Sequence, residues 1–264
     1  MRLLPRILTI KKLAMASTSE TGHAKNLANF DALTTNVSNF GAIFNPSKAA
    51  IKVTALQTYA TSCHNSLTGV NTAIAAYGNA VAAREIAYNP VSKLVTRIIN
   101  ALKATDVPEQ VIENAKTFAR KIQGSRASAK IKANLASDPN ASIEAIPAEP
   151  RQISASQMSY DSRLDNLEKL IKVLASNPLY APNENDLKVS ALTALYNDLK
   201  SKNSAVVLAA AQLGSARIAR NELFYNPSTG MLALVAEVKA YVKSLFGATS
   251  PQYKQISSLK FKYN

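Results

Sequence analysis

Residues 56–84 read LQTYATSCHNSLTGVNTAIAAYGNAVAAR, and the spacing of the apolar positions within them decides the fold class. Leu56, Tyr59, Cys63, Leu67, Val70, Ile74, Tyr77, Val81 and Arg84 follow one another at alternating intervals of three and four residues. An α-helix turns once every 3.6 residues, so this spacing lays one seam along one unbroken helix, in the heptad manner of a coiled coil. Gly69 and Gly78 weaken the helix, each by about 1 kcal/mol relative to Ala. The seam recurs through Leu192, Leu195, Leu199, Val206, Ala210, Leu213, Arg217 and Arg220, with Asn203 at its weakest position. Each run predicts a helix of about 40 residues, roughly 60 Å long at 1.5 Å per residue.

The recurrence extends beyond the seams. Leu27–Leu33 aligns with Leu164–Leu170, Ile51–Leu56 with Leu187–Leu192, and Tyr88-Asn89-Pro90 with Tyr225-Asn226-Pro227. A conserved order with matching prolines at a nearly constant offset indicates a duplicated unit. Shorter helices are expected before each long one (about 24–40 and 159–176) and after each (about 91–104 and 228–246). The corners have a physical logic: Asn caps free backbone N–H groups, and Pro suits a first helical turn that needs no N–H. Asn89-Pro90 and Asn226-Pro227 are read as such corners, and Asn183 with Asp186 as a similar start. Asp106, with Glu109 three places on, predicts the start of a further helix reaching Gln123. The tail Leu259–Tyr263 alternates like a strand, or is a packed irregular end.

The fold class is therefore all-α: an elongated helical bundle of two tandem pseudo-symmetric repeats, each with one long helix flanked by shorter ones. The boundaries are a disordered N-terminal extension at 1–18, repeat 1 at 19–123, a Ser/Ala/Pro/Lys-rich linker at 124–157 and repeat 2 at 158–264, with the repeats packed as one domain. Residues 1–14 read either as an imperfect targeting segment, interrupted by Arg6, Lys11 and Lys12, or as an extension upstream of a start at Met15. No apolar run approaches the roughly 20 residues that span a bilayer.

The 264 residues carry 31 Lys+Arg against 17 Asp+Glu, a net charge of +14. That surplus suits an anionic partner and equally suits a protein kept apart by self-repulsion. Cys63 is the only cysteine, which excludes an intramolecular disulfide and fits a reducing, cytoplasmic setting.

Catalytic chemistry has little to rest on. There is no phosphate-binding glycine loop and no Glu-x-x-His pair for a di-metal bundle. His23 and His64 do not stand beside a carboxylate at metal-ligand spacing, and Cys63 and His64, as i,i+1 neighbours, do not face each other on a helix. No catalytic residue, metal, cofactor or small-molecule substrate is expected. Arg84 with Glu85 and Arg220 with Glu222 are candidate structural ion pairs, with an anion site as the alternative. Lys116, Arg120, Lys121, Arg126, Lys130 and Lys132 form one candidate phosphate-contacting set. Lys239, Lys243, Lys254, Lys260 and Lys262 form another. Both read equally as solvated faces, and aromatic residues interleave them sparsely.

At Ser19–Phe30, Ala80–Tyr88 and Leu94–Thr105 the chain resembles a family of uncharacterised bacterial proteins built on a duplicated all-helical unit. The resemblance implies a bacterial, cytoplasmic protein and brings no activity or ligand with it. The expected function is a non-enzymatic helical scaffold or protein-interaction protein, with a protein partner or self-association. Nucleic-acid binding through the basic patches is the alternative.

Overall fold

A computed structural model describes residues 18–124 and 158–263. The expected extension at 1–18 except Thr18, the expected linker except Gly124, and Asn264 lie outside the described residues. In chain order the helices are α1 (Thr18–Asn39), α2 (Val53–Tyr88), α3 (Val91–Lys103), α4 (Glu109–Gln123), α5 (Tyr160–Ala175), α6 (Val189–Tyr225), α7 (Met231–Phe246) and α8 (Pro251–Ser257). Short 3-10 turns at Gly41–Ile43 and Ala49–Ile51 lead from α1 to α2. No strand is present among the described residues, so the protein is all-α. The heptad-spaced stretches are the two long helices, of 36 and 37 residues.

The chain divides into two compact units, Met1–Ala76 with Ala211–Asn264 and Tyr77–Ala210. Each has its own core and draws on both ends of the repeat alignment. In the first unit, Leu27, Phe30, Leu33 and Val37 recur every three or four residues on α1. They pack with Leu56 and Cys63 of α2, Val235, Val238 and Val242 of α7, and Ile256 of α8. In the second, Val95, Ile98 and Leu102 of α3, Ile112, Ala115, Ala119 and Ile122 of α4, and Leu167, Leu170 and Leu174 of α5 close over Leu192 and Leu199 of α6. Burying each large aliphatic or aromatic side chain contributes about 1.5–3 kcal/mol, which is what holds these helices in place.

The helix ends differ in part from the expected corners. Asp106 does not cap α4: Pro108 holds the N-cap position and makes no side-chain cap bond. Its fixed φ serves where a hydrogen-bonding cap was expected. Pro90, not Asn89, is the N-cap of α3. Asn226 does work as a turn former, accepting from the backbone N–H of Ser228 (2.8 Å) and Thr229 (3.0 Å) ahead of α7. Asp186 is engaged by the Arg97 guanidinium through both carboxylate oxygens, two residues and more before α6 begins. At the end of α4, Gly124 adopts φ +69°, a left-handed C-cap that a side chain would strain.

The tail after α8 is irregular rather than extended into a sheet. The Asn26 side chain of α1 holds it as a neighbouring strand would: Nδ2 donates to Lys262 O (2.6 Å), and Lys262 N donates back to Oδ1 (3.0 Å). Asn29 donates to Lys260 O at 2.6 Å. Packing of Leu259 and Phe261 against the first core completes the attachment.

Candidate functional site

Three kinds of polar grouping stand out. The first surrounds Arg84 in the second unit. Its Nη1 donates to Asn203 Oδ1 (3.1 Å), and Asn203 Nδ2 donates in turn to Asp161 Oδ1. The guanidinium carbon lies 3.9 Å from the centroid of the Tyr160 ring. Tyr160 packs edge-on to Tyr88, whose ring centroid is 5.0 Å from the Arg163 guanidinium. Asn203, at the weakest point of the apolar seam, is thus a buried bridge joining α2, α5 and α6. Arg84 is held by an amide and an aromatic face; its neighbour Glu85 lines an open cleft of about 470 Å³ with Tyr88, Tyr160 and Arg163. The Tyr88 hydroxyl donates to Tyr160 O at 3.2 Å, and burial pushes its pKa up to about 12. Arg220 in the first unit is buried, with Nε and Nη2 donating to Asn221 Oδ1 (3.2 and 3.0 Å). Glu222 accepts from Asn226 Nδ2.

The basic sets are the second constellation. Lys116 pairs with Glu113 (2.6 Å) and Glu109 (3.4 Å), which hold its pKa above the usual lysine value, Glu113 through its hydrogen bond first. Arg120 donates to Thr117 Oγ1 (3.0 Å), and Lys121 is exposed. Arg126, Lys130 and Lys132 lie outside the described residues. In the first unit Lys239 donates to Leu259 O (2.8 Å) beside the Phe261 ring; burial, and then Lys260, lower its pKa. Lys243, Lys254, Lys260 and Lys262 are exposed, and none pairs with a carboxylate among the described residues. Of the aromatic side chains among them, Tyr241, Phe246, Tyr253 and Phe261 pack against the first core, while Tyr263 is exposed beside the Tyr225 ring.

The third constellation has no signature in the sequence. His64 Nε2 lies 2.9 Å from Asp31 Oδ2 across α1 and α2, so a histidine does stand beside a carboxylate, 33 residues away in the chain. The pair borders a cleft of about 440 Å³ walled by hydroxyl and amide side chains. Cys63, next in sequence, points the other way into the core, where burial and then Asp31 push its thiol up to about 12. It is a structural residue, not a nucleophile poised at neutral pH. Among the described residues no three His, Cys, Asp or Glu side chains group closely enough to hold a metal ion. No described helix is long and apolar enough to cross a membrane.

No family model matches the chain, and neither a curated protein nor a solved structure is similar to it.

Proposed function

We propose that this chain is a non-enzymatic helical scaffold that engages an anionic partner through the lysines of α7, α8 and the tail. One observation carries this reading. Lys243, Lys254, Lys260 and Lys262 are exposed with no carboxylate paired to them among the described residues. The first unit as a whole reinforces it. Its described residues hold ten Lys+Arg against four Asp+Glu, while those of the second hold thirteen against ten. An acidic protein surface fits such an array, because charge complementarity steers encounter and suppresses wrong partners. Adjacent exposed Val207 and Leu208 on α6 supply apolar area for protein contact or self-association. The matching order of short and long helices supports descent from a duplicated unit, and the free, buried Cys63 fits a reducing, cytoplasmic setting.

Nucleic acid is the second reading, favoured by the net charge of +14. The aromatics among these lysines are half-buried apart from the exposed Tyr263, which favours phosphate contacts over extended base stacking. A salt titration separates the two. Four phosphate contacts predict a slope of log K against log salt near about −3.6 on duplex DNA. Absence of DNA or RNA binding at low salt eliminates this reading. Charge reversal of Lys243, Lys254, Lys260 and Lys262 to Glu, followed by identification of the species recovered with each form from native cells, tests the scaffold. Retention of every partner by the reversed form overturns it.

A further inference from the structure

We infer that the cleft between the end of α2 and the start of α5 in the second unit is a binding site for a free α-amino acid. The sequence had suggested no small-molecule ligand, and the inference does not depend on the lysines of the first unit. Two observations carry it. One is the Arg163 guanidinium, which lines the cleft 5.0 Å from the centroid of the buried Tyr88 ring. Its side chain has no hydrogen bond or ion pair among the described residues. The Nε is sealed inside the protein and takes no part in binding; the Nη groups are not sealed, and they are what the cleft presents. The other is Glu85 of α2, exposed on the same cleft and likewise without a partner. Elsewhere in this unit an acid with a cation in reach takes it: Asp186 pairs with Arg97, Glu113 with Lys116, Asp165 with Lys169 and Glu168 with Lys172. Glu85 and Arg163 share a cleft and stay apart.

The lining selects the ligand class. The free Nη groups offer a carboxylate charge-assisted N–H donors, and Glu85 offers an ammonium a fully charged acceptor. In an α-amino acid those two ends are joined through a single carbon, so one molecule bridges a gap that the side chains do not close themselves. A simple anion suits Arg163 and is repelled by Glu85, and a simple cation meets the reverse. A neutral molecule leaves both charges unused. Exposed Asn89, also in the lining, carries a donor for one end and an acceptor for the other. Ile86, 74% exposed, supplies apolar surface for an aliphatic side chain. Because Arg163 already rests on Tyr88, it loses less freedom on binding than a solvated arginine would. The volume of about 470 Å³ lies in the lower part of the roughly 300–1,000 Å³ range of small-molecule sites.

The test is a titration of the full-length ¹⁵N-labelled chain with L-leucine, followed by amide chemical shifts. Two matched probes run in parallel: 4-methylpentanoate, which lacks the ammonium, and 3-methylbutylamine, which lacks the carboxylate. The expected result is saturation by L-leucine with a dissociation constant of about 1 mM, and shifts centred on residues 85–89 and 160–163. Each matched probe binds at least about tenfold more weakly. Arg163→Gln weakens L-leucine about tenfold. Glu85→Gln, at an exposed position that does not endanger folding, also weakens L-leucine about tenfold while tightening 4-methylpentanoate, because the repulsion of its carboxylate is gone. A purely structural Glu85 predicts no such opposite response. The inference is overturned by any of three outcomes: no saturation by L-leucine at a hundredfold higher concentration, a matched probe that binds as tightly as L-leucine, or L-leucine affinity unchanged in Glu85→Gln.

Discussion

Asn203→Ala is the sharpest probe of how the second unit holds together. The side chain is 8% exposed and bridges two charged groups, accepting from Arg84 and donating to Asp161. A hydrogen bond to a charged group contributes about 1.5–3 kcal/mol, so two intact bonds set a ceiling of about 6 kcal/mol. Two features of the site lower that figure. Asp161 is exposed, and water replaces the lost donor there at small cost. Arg84 keeps its place over the Tyr160 ring, worth about 1 kcal/mol. The Arg84 bond then dominates, and the expected loss is about 2.5 kcal/mol. Urea unfolding measures it, and a double-mutant cycle with Arg84→Met isolates the pair, with an expected coupling of about 1.5 kcal/mol. Asn203→Leu adds an informative arm. Alone it restores the apolar seam but strands the guanidinium; combined with Arg84→Met it returns stability to within about 1 kcal/mol of the parent, as an apolar replacement of a complete polar set does. A loss below about 0.5 kcal/mol for Asn203→Ala, or coupling within the roughly 0.3 kcal/mol error of additive sites, refutes the bridging role.

Three further outcomes follow from the packing. At Gly230 an added Cβ would meet the backbone N and O of Asn226 at 2.6 Å, so Gly230→Ala must open the turn before α7; thermal unfolding should show a loss of about 2–3 kcal/mol, and an unchanged Tm contradicts the close approach. Asn26→Ala removes both bonds to the Lys262 peptide and should speed amide exchange at the tail residues while α7 stays protected; equal exchange in the two proteins means the tail is held by its apolar contacts alone. Burial pushes Cys63, Tyr88 and Tyr180 up to about 12, so the folded state retains protons that an unfolded chain releases near pH 8.5 for Cys and 10 for Tyr. Their contribution is complete below those unfolded values and is lost as pH climbs through 12; stability should therefore fall steadily above about pH 8.5, and a flat Tm from there to about pH 11 rules this out.

The helices were legible in the sequence because burial leaves a periodic trace. Leu56, Cys63 and Val70 recur with the helical turn and are buried, and Val91, Val95, Ile98 and Leu102 do the same in α3. Polar partnerships leave no such trace. Asp31 and His64 belong to different helices, and Asn26 finds Lys262 across 236 residues. Nothing in spacing specifies those meetings, because only the packed fold brings the elements together. Asn203 shows the limit most clearly. Its position broke the apolar period and read as a weakness, when the break marks a buried amide with a partner on each side. The capping errors have a related cause: Asp106 and Asp186 carry side chains suited to N-caps, but the chain reaches α4 through Pro108, and Arg97 takes Asp186 for itself.

Among the described residues buried amides outnumber buried ions, of which Arg220 is one, and this has a consequence for function. Asn26, Asn166 and Asn203 are all buried, and each brings a donor and an acceptor without the several kcal/mol that desolvating a full charge costs. Carboxylates are accordingly kept at the surface. There Glu113, Asp165 and Glu168 pair with lysines three or four places away on their own helices. Those pairs all sit in the second unit, and exposed pairs of this kind add at most about 1 kcal/mol each. In the first unit the supply of acids runs out: Glu237 is taken by Lys48 at 2.5 Å, and no acidic residue follows it in the sequence. Lys243, Lys254, Lys260 and Lys262 therefore do little for the folded state, and their removal should leave Tm nearly unchanged while altering what the protein binds. A frame that buries more amides than ions leaves the exposed lysines of this end free for a partner.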